Sequence, residues 1–169
     1  MTTEPIIESG MTFGPYPEGY CFHIEKSKIY KKIQKDVKIA EFLLYRVNKK
    51  DQPMVWIIEA KSSSPKPTTQ PNFDHFIQEI KEKLFNTLFL CIAIKSKRHD
   101  PFTENPEFFN NIDLEKTSFR LILIIKHHKD EWLAPLKDDI EKVLIKPIIK
   151  YLEFTILAPI AFCSQRCPC

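Results

Sequence analysis

Two apolar segments joined by a short polar turn constrain the fold of this chain more than any other feature. "VKIAEFLLYRV" covers residues 37–47 and "MVWIIEAK" covers residues 54–61, and both are rich in branched and aromatic side chains. That composition favours β-strands, and the polar stretch "NKKDQP" between them favours a turn. The two segments therefore predict an antiparallel hairpin, in which residues whose numbers sum to about 100 lie opposite each other.

The rest of the chain predicts helices and further strands packed around this hairpin. From Asn72 onward, apolar residues recur at three- and four-residue steps, which predicts an amphipathic helix with Asn72 as its N-cap. Residues 118–126 have no polar face and predict an interior strand, and Pro135 predicts the start of a second helix. Residues 153–159 predict a final strand, whereas residues 22–33 fit either a strand or a short helix. The order predicts a mixed sheet with helices packed on it.

The length of the chain favours one domain with short flanking segments. A chain of 169 residues can bury a substantial core, and we expect a single α/β domain over residues 21–160. Residues 1–20 contain all three glycines of the chain and predict an irregular N-terminal arm. The absence of glycine from the body of the chain excludes a glycine-rich phosphate-binding loop there.

Composition favours a cytoplasmic protein with no membrane partner. The apolar runs stay below about 18 residues, and the first ten residues lack the basic start and apolar stretch of a secretory signal. Residues 161–169 form a tail in which Cys163, Cys167 and Cys169 are crowded. The spacing could hold a soft metal ion with a fourth ligand, but it favours a loose, reduced tail.

The predicted hairpin brings two carboxylates together. In its register Glu41 lies opposite Glu59, and directly opposed side chains are about 5 Å apart. Two such carboxylates repel each other, and a hard divalent cation such as Mg²⁺ or Mn²⁺ removes that repulsion. Because side chains alternate along a strand, Lys61 lies on the same face as Glu59. Lys61 could there hold a phosphate oxygen or orient an attacking water, and the backbone carbonyl of Ala60 could be a further metal ligand.

An ion pair without a catalytic role is an alternative explanation for the same charges. A Glu-x-Lys triplet is common by chance, and a second copy occurs at Glu79–Lys81 within the predicted helix. Glu59 and Lys61 could simply form a surface ion pair at a strand end. The position of the triplet after an apolar strand, with an acid on the preceding strand and a helix following, favours the metal site.

These residues resemble the PD-(D/E)XK nuclease superfamily, which includes many restriction endonucleases and the archaeal Holliday junction resolvases. The resemblance covers about residues 22–126 and implies an α/β fold with a restriction-endonuclease-like mixed central β-sheet flanked by α-helices. It implies metal-dependent cleavage of phosphodiester bonds, usually in DNA, with one or two Mg²⁺ ions. Glu41 and Glu59 take the places of the two family acids, and Lys61 takes that of the lysine.

Other residues are candidates for supporting roles. From His23 to Lys50 there are eight lysines and one arginine against three acids, so Lys31, Lys32 and Lys38 are candidate nucleic-acid contacts. Gln78 and His75 follow the motif on the predicted helix and are possible auxiliary residues, although such positions are more often plain helix surface.

The sequence thus predicts a Mg²⁺- or Mn²⁺-dependent DNA nuclease, with a host-defence or repair setting implied by the resemblance alone. The alternative is a non-catalytic accessory subunit of the same fold that binds DNA or protein through its basic face. A domain of this size offers little surface to span a groove, so a homodimer or a larger protein complex is expected in either case.

Overall fold

The computed structural model describes residues 1–98, 107–144 and 152–159. Its strands are, in chain order, β1 (Ile6–Glu8), β2 (Met11–Phe13), β3 (Cys21–Phe22), β4 (Phe42–Val47), β5 (Pro53–Ser63), β6 (Ser118–His127) and β7 (Leu152–Leu157). Its α-helices are α1 (Lys28–Ile33), α2 (Asn72–Lys95), α3 (Glu107–Asn111) and α4 (Asp130–Val143), and a 3₁₀ turn covers Ile24–Lys26. The cysteine-containing tail predicted at 161–169 lies outside the described residues.

Five strands form one mixed sheet in the order β3-β4-β5-β6-β7. The pairs β3–β4 and β4–β5 are antiparallel, whereas β5–β6 and β6–β7 are parallel. Within the β4–β5 hairpin Phe42 lies opposite Ile58 and Val47 lies opposite Pro53, so the predicted register is confirmed. The fold is therefore a mixed α/β sheet with helices packed against it, together with a small separate hairpin.

One face of the sheet carries the helices. All four helices contribute buried residues to a core that includes Leu43 and Ile57 from the central hairpin. The apolar stripe predicted from the sequence of α2 is the surface that this helix buries, with Ile80 and Leu84 fully inaccessible. The parallel connections β5–α2–β6 and β6–α4–β7 place α2 and α4 in contact with each other.

The other face of the sheet is covered by the N-terminal segment, which differs from the irregular arm predicted for residues 1–20. Strands β1 and β2 form a two-stranded hairpin, with Ser9 and Gly10 at positive φ in its turn. Phe13 is buried against Phe42, with ring centroids 5.3 Å apart. Burial of these apolar side chains orders a segment whose glycines and prolines had favoured an irregular conformation.

The first strand of the central hairpin is shorter than predicted. The sequence favoured a strand over residues 37–47, but β4 begins at Phe42. The backbone N–H of Ala40 donates to Thr87 Oγ1 of α2 at 2.7 Å, and the carbonyl of Glu41 accepts a hydrogen bond from Glu25. The backbone N–H of Glu41 still donates to the carbonyl of Ile58 at 3.0 Å, so tertiary partners replace the strand ladder only at the Ala40 N–H and the Glu41 carbonyl. Propensity within the segment could not indicate these partners.

The predicted start of one helix and the predicted N-cap of another are wrong. Helix α4 begins at Asp130, five residues before Pro135, which lies inside the helix. The acids Asp130 and Glu131 in the first turn favour this earlier start, since they interact well with the helix dipole. Asn72 is the first residue of α2 and does not cap it, because Pro71 occupies the cap position without a side-chain hydrogen bond. In the ambiguous segment 22–33 the chain forms mainly the 3₁₀ turn and α1.

Across the described ranges, no helix is both long and apolar enough to pass through a bilayer.

Candidate functional site

The two predicted acids lie at the same end of the central hairpin, on the face that packs under α2. Glu59 belongs to β5, and Glu41 directly precedes β4. Alternation along the strands places both on the face that carries Leu43 and Ile57. The side chain of Glu59 is 0% exposed and that of Glu41 is 8% exposed. Two carboxylates this deeply buried require compensating charge.

A lysine from α2 supplies part of that charge. Lys83 Nζ lies 2.9 Å from Glu59 Oε1 and 3.5 Å from Glu41 Oε1, so a single ammonium group contacts both carboxylates. Only 13% of the Lys83 side chain is exposed. Thr87, one turn further along α2, accepts from the backbone of Ala40 and donates to the Lys83 carbonyl at 2.7 Å. These bonds fix the helix against the strand end that carries Glu41.

The lysine of the Glu-x-Lys triplet lies at the solvent side of the same group. Lys61 Nζ is 3.3 Å from Glu59 Oε1 and donates a hydrogen bond to Glu79 Oε1 of α2 at 2.6 Å. The side chain of Lys61 is 22% exposed and that of Glu79 is 36% exposed. Solvent exposure of the charged side chains therefore increases from the buried Glu59 carboxylate to the Lys61–Glu79 ion pair at the surface. We use the name ionic cluster for five residues: Glu41, Glu59, Lys61, Glu79 and Lys83.

The ionic cluster leaves acceptor atoms without partners. Oε2 of Glu41 and Oε2 of Glu59 are both buried, and neither has a hydrogen-bond partner among the described residues. An unsatisfied buried carboxylate oxygen costs about 1–3 kcal/mol or more. Such atoms in a native fold point to a missing cation or water, or to a functional role.

The protonation of these groups is strongly perturbed. Burial, together with the neighbouring carboxyl groups of Glu25 and Glu59, raises the pKa of Glu41 to about 8. Burial also raises the pKa of Glu59, and the ammonium groups of Lys83 and Lys61 oppose that shift. Burial tends to lower the pKa of Lys83, but the carboxylates of Glu59 and Glu41 outweigh it and raise the pKa overall. Lys83 therefore carries its charge at neutral pH.

For the partly exposed carboxyl group of Glu79, the pKa shift has the opposite sign. The hydrogen bond from Lys61 holds the pKa of Glu79 below its usual value, and the charges of Lys61, Lys83 and Lys38 act in the same direction. Glu79 is therefore an ordinary ionised partner of Lys61.

A second group of metal-ligand donor atoms lies close to Glu41. We use the name acid–imidazole cluster for four residues whose ligand atoms all lie within 4.8 Å of one another: Glu8, His23, Glu25 and Glu41. Glu8 Oε1 is 3.3 Å from His23 Nε2 and accepts a hydrogen bond from Lys26 at 3.0 Å. Burial, followed by the charge of Lys26, lowers the pKa of His23, so the neutral imidazole is favoured. Glu41 is the residue common to both clusters.

The carbonyl of Ala60, the predicted backbone ligand, has a partner from the N-terminal hairpin. Ser9 Oγ donates a hydrogen bond to it at 2.8 Å. The turn between β1 and β2 therefore lies at the end of β5 next to the ionic cluster. A carbonyl oxygen can accept a second interaction, so the hydroxyl of Ser9 does not fill its capacity.

The predicted nucleic-acid contacts and auxiliary residues lie further out. Lys31 and Lys32 are exposed on α1, and Lys38 is exposed on the segment before β4, near enough to influence Glu79. His75 and Gln78 are exposed on α2. From α2, Lys83 contacts both hairpin acids, whereas Glu79 contacts Lys61.

Two of the residues that sequence reasoning missed had a detectable signal. Glu79 and Lys83 are four positions apart on α2, and Lys83 falls between the buried residues Ile80 and Leu84. A lysine within the buried stripe of a helix requires a charged partner, and the acids of the neighbouring hairpin were the available ones. Glu8 and His23 carry no such signal, because the β1–β2 hairpin that brings them together was predicted as irregular.

Comparison of the chain with protein-family models, curated proteins and solved structures found no match. Functional inference therefore rests on the chemistry of these two clusters.

Proposed function

We propose that the protein is a divalent-metal-dependent phosphodiester hydrolase that acts on nucleic acid, most simply DNA. The observation that supports this function best is the convergence of Glu41 and Glu59, two buried acids on adjacent chain segments, with Lys61 at the solvent edge of the same group. Each acid also has a buried oxygen without a hydrogen-bond partner among the described residues.

The order of elements supports the same proposal. The acid that precedes β4, the Glu-x-Lys triplet on β5, the helix α2 and the parallel strand β6 follow one another in the chain. This is the order on which the resemblance to the PD-(D/E)XK superfamily rests, and we propose that the sheet belongs to that restriction-endonuclease-like class. The N-terminal hairpin over one face is an addition to that pattern.

The donor set fits a hard cation. Carboxylate oxygens are the ligands that Mg²⁺ and Mn²⁺ prefer, and Glu41 and Glu59 offer one unpartnered oxygen each. A cation there would share the carboxylates with the ammonium of Lys83, which balances part of their charge. Glu41 and Glu59 would hold the ion, with the carbonyl of Ala60 as a further oxygen donor.

The position of each charged group in the site suggests its role in hydrolysis. The bound cation supplies Lewis acidity and a water of lowered pKa. Lys61 is the cationic side chain at the rim, so it would bind a non-bridging phosphate oxygen of the substrate and fix its position. To do this Lys61 must exchange its hydrogen bond with Glu79 for one with the phosphate. Lys83 of α2 holds the two carboxylates in place through its contacts with their Oε1 atoms.

Substrate binding outside the cluster would use the exposed lysines. Lys31, Lys32 and Lys38 lie on one continuous segment that leads into the site, and their charges would attract a phosphate backbone without reading its sequence. A second copy or another protein would extend this surface along the duplex, as we propose for a domain of this size.

One observation favours the alternative, a non-catalytic subunit that binds DNA or protein. Glu59 is completely buried and already contacts two lysines, so its charge has protein partners. A buried ion pair of this kind can persist as a structural element after activity is lost.

The two functions are separated by cleavage assays on the full chain. We expect supercoiled, linear and branched DNA to be cut in Mg²⁺ or Mn²⁺ and to stay intact in EDTA. Glu59→Gln and Lys61→Ala should lower the rate by about 100-fold or more, since the first removes a ligand of the ion and the second removes the group that binds the phosphate. The matched controls are Glu82→Gln and Lys66→Ala, which change exposed residues near the site in sequence.

DNA binding provides the second measurement. Lys61→Ala should leave the affinity and its salt dependence nearly unchanged, whereas Lys31→Glu with Lys32→Glu should weaken binding to all sequences alike. Wild-type protein that binds DNA but cuts none of these substrates in either metal would contradict the hydrolase and support the binding subunit. Protein that neither binds nor cuts would contradict both.

A further inference from the structure

We propose that the acid–imidazole cluster, Glu8, His23, Glu25 and Glu41, binds a divalent transition-metal ion of the Mn²⁺ type. This site deepens the proposed function, on which its use in hydrolysis rests, because it names a second ion position that shares Glu41 with the first. Its ligands come from β1, from the 3₁₀ turn with the residue before it, and from the residue before β4.

The geometry is close to that of a coordination shell. With metal–ligand bonds of about 2.1 Å, two ligands on opposite sides of an ion lie about 4.2 Å apart. All four ligand atoms of the cluster already lie within 4.8 Å of one another. Four atoms with separations below 4.8 Å lie within about 2.9 Å of a common point, so movements of less than about 1 Å would bring them to bonding distance.

The oxygen atoms of Glu41 provide an independent reason. The Glu41 side chain is more than nine-tenths buried, and its Oε2 has no hydrogen-bond partner among the described residues. Glu8 and Glu25, the other two carboxyl groups of the cluster, carry acceptors only when ionised, and Glu25 shares a hydrogen bond with Glu41 when one of the two is protonated. A divalent cation would replace that proton and bind all three carboxylates at once.

The ligand types select the ion. Mg²⁺ requires oxygen donors in strict octahedral geometry, and an imidazole nitrogen suits it poorly. Mn²⁺ accepts carboxylate and imidazole together. The neighbouring position between Glu41 and Glu59 offers oxygen donors alone and already holds the Lys83 ammonium at 2.9 and 3.5 Å.

Two ligands of the cluster are open to solvent. His23 and Glu8 are each about one-fifth exposed, so a hydrated ion can reach them. His23 also lines a cavity of about 290 Å³ formed by the N-terminal segment and the start of the fold. The deeper carboxylate of Glu41 would complete the shell.

The test is an electron paramagnetic resonance titration of metal-free, full-length protein with Mn²⁺. Loss of the free-ion signal measures affinity, and electron spin-echo modulation from a bound imidazole ¹⁴N reports ligation by histidine. We expect ¹⁴N modulation from one bound ion in the wild type, in addition to any ion held by Glu41 and Glu59 without a nitrogen ligand. His23→Ala should remove the modulation, and His23→Ala or Glu8→Gln should weaken binding about tenfold or more.

Matched variants test the location. His75→Ala and Glu4→Gln change an exposed histidine and an exposed acid, and both should bind Mn²⁺ as the wild type does. Glu59→Gln should also keep the modulation, because Glu59 belongs to the other position. Bound Mn²⁺ without ¹⁴N modulation in the wild type, or an affinity unchanged in folded His23→Ala and Glu8→Gln, overturns this site.

Cleavage measured on the same preparations separates this inference from the proposed function. Mn²⁺ binding with ¹⁴N modulation and no cutting keeps the metal site and removes the hydrolase. Cutting that depends on Glu59 and Lys61, without ¹⁴N modulation in the wild type, removes the site and keeps the hydrolase.

Discussion

The two faces of the β4–β5 hairpin are built from alternate residues of the same strands, but they are stabilised in different ways. On the face covered by β1 and β2, Phe42, Ile58 and Ala60 are buried among apolar side chains. On the face covered by α2, the adjacent residues Glu41 and Glu59 are buried among charges. The backbone is common to both, so the contrast lies in the side chains and in the element that covers each face.

The contrast favours a functional role for the charges over a purely stabilising one. Apolar residues fill the equivalent depth on the opposite face, and replacement of a buried ion pair by apolar residues is often neutral or stabilising. The chain instead buries two carboxylates with one lysine between them and leaves two oxygens unpaired. Perturbed ionisable groups of this kind concentrate at functional sites, which supports the proposed function.

Removal of Lys83 is the largest expected effect and tests the charged face directly. Lys83→Met would leave Glu41 and Glu59 buried without their shared ammonium, and we expect a loss of about 3–5 kcal/mol in the free energy of unfolding. Urea unfolding of metal-free protein measures it, with Lys81→Met on the same helix as the control. Adding Glu59→Gln to Lys83→Met should recover much of the loss, since the buried Glu59 carboxylate that Lys83 neutralised is then removed. A loss below about 1 kcal/mol in the single variant would mean that the carboxylates are protonated or hydrated without Lys83.

The pH dependence of stability gives the next effect. Because the pKa of Glu41 rises from an ordinary 4.5 to about 8 on folding, the folded chain binds this proton more tightly than the unfolded chain. The associated stability is fully present below the unfolded pKa and is lost as the pH rises toward 8. Glu41→Gln has no such proton, so in EDTA it should gain stability relative to the wild type as the pH rises, by roughly 2–4 kcal/mol in all. Thermal unfolding at about pH 5 and about pH 9 measures this, and a constant difference between the two proteins would contradict it.

The apolar face should respond in a smaller and purely structural way. Ile58→Val removes one methylene group from a fully buried side chain, at a cost of about 0.5–1.5 kcal/mol. Cleavage rate and Mn²⁺ affinity should stay at the wild-type level at temperatures where the variant is folded. A large fall in the cleavage rate or in the Mn²⁺ affinity would show that the apolar and charged faces are energetically coupled.

The sequence predicts the pairing of Glu41 with Glu59 because both determinants are local. Turn length sets the hairpin register, and the period of two sets the faces, so the position of Lys61 beside Glu59 follows. The start of β4 at Phe42 does not follow, because the backbone of Ala40 bonds to Thr87, which is 47 positions away.

The remaining parts of the site depend on contacts between distant elements. Lys83 could have been recognised as a lysine within a buried helical stripe, although its partners required the packing of α2 on the hairpin. The approach of Glu8 to His23 depends on burial of β1 and β2 against the sheet, and composition alone had favoured an irregular arm there. Local patterns therefore predict the acids of the hairpin, whereas tertiary packing determines what surrounds them.

The most direct test of the central claim, that the charged face is a metal site, is anomalous diffraction from crystals of the full chain grown with Mn²⁺. A difference map at the manganese absorption edge locates bound ions without reference to activity. We expect an anomalous peak within ligand distance of the Glu41 carboxylate. A well-ordered structure with millimolar Mn²⁺ present, no peak near Glu41, and Lys83 still between Glu41 and Glu59 would contradict the account.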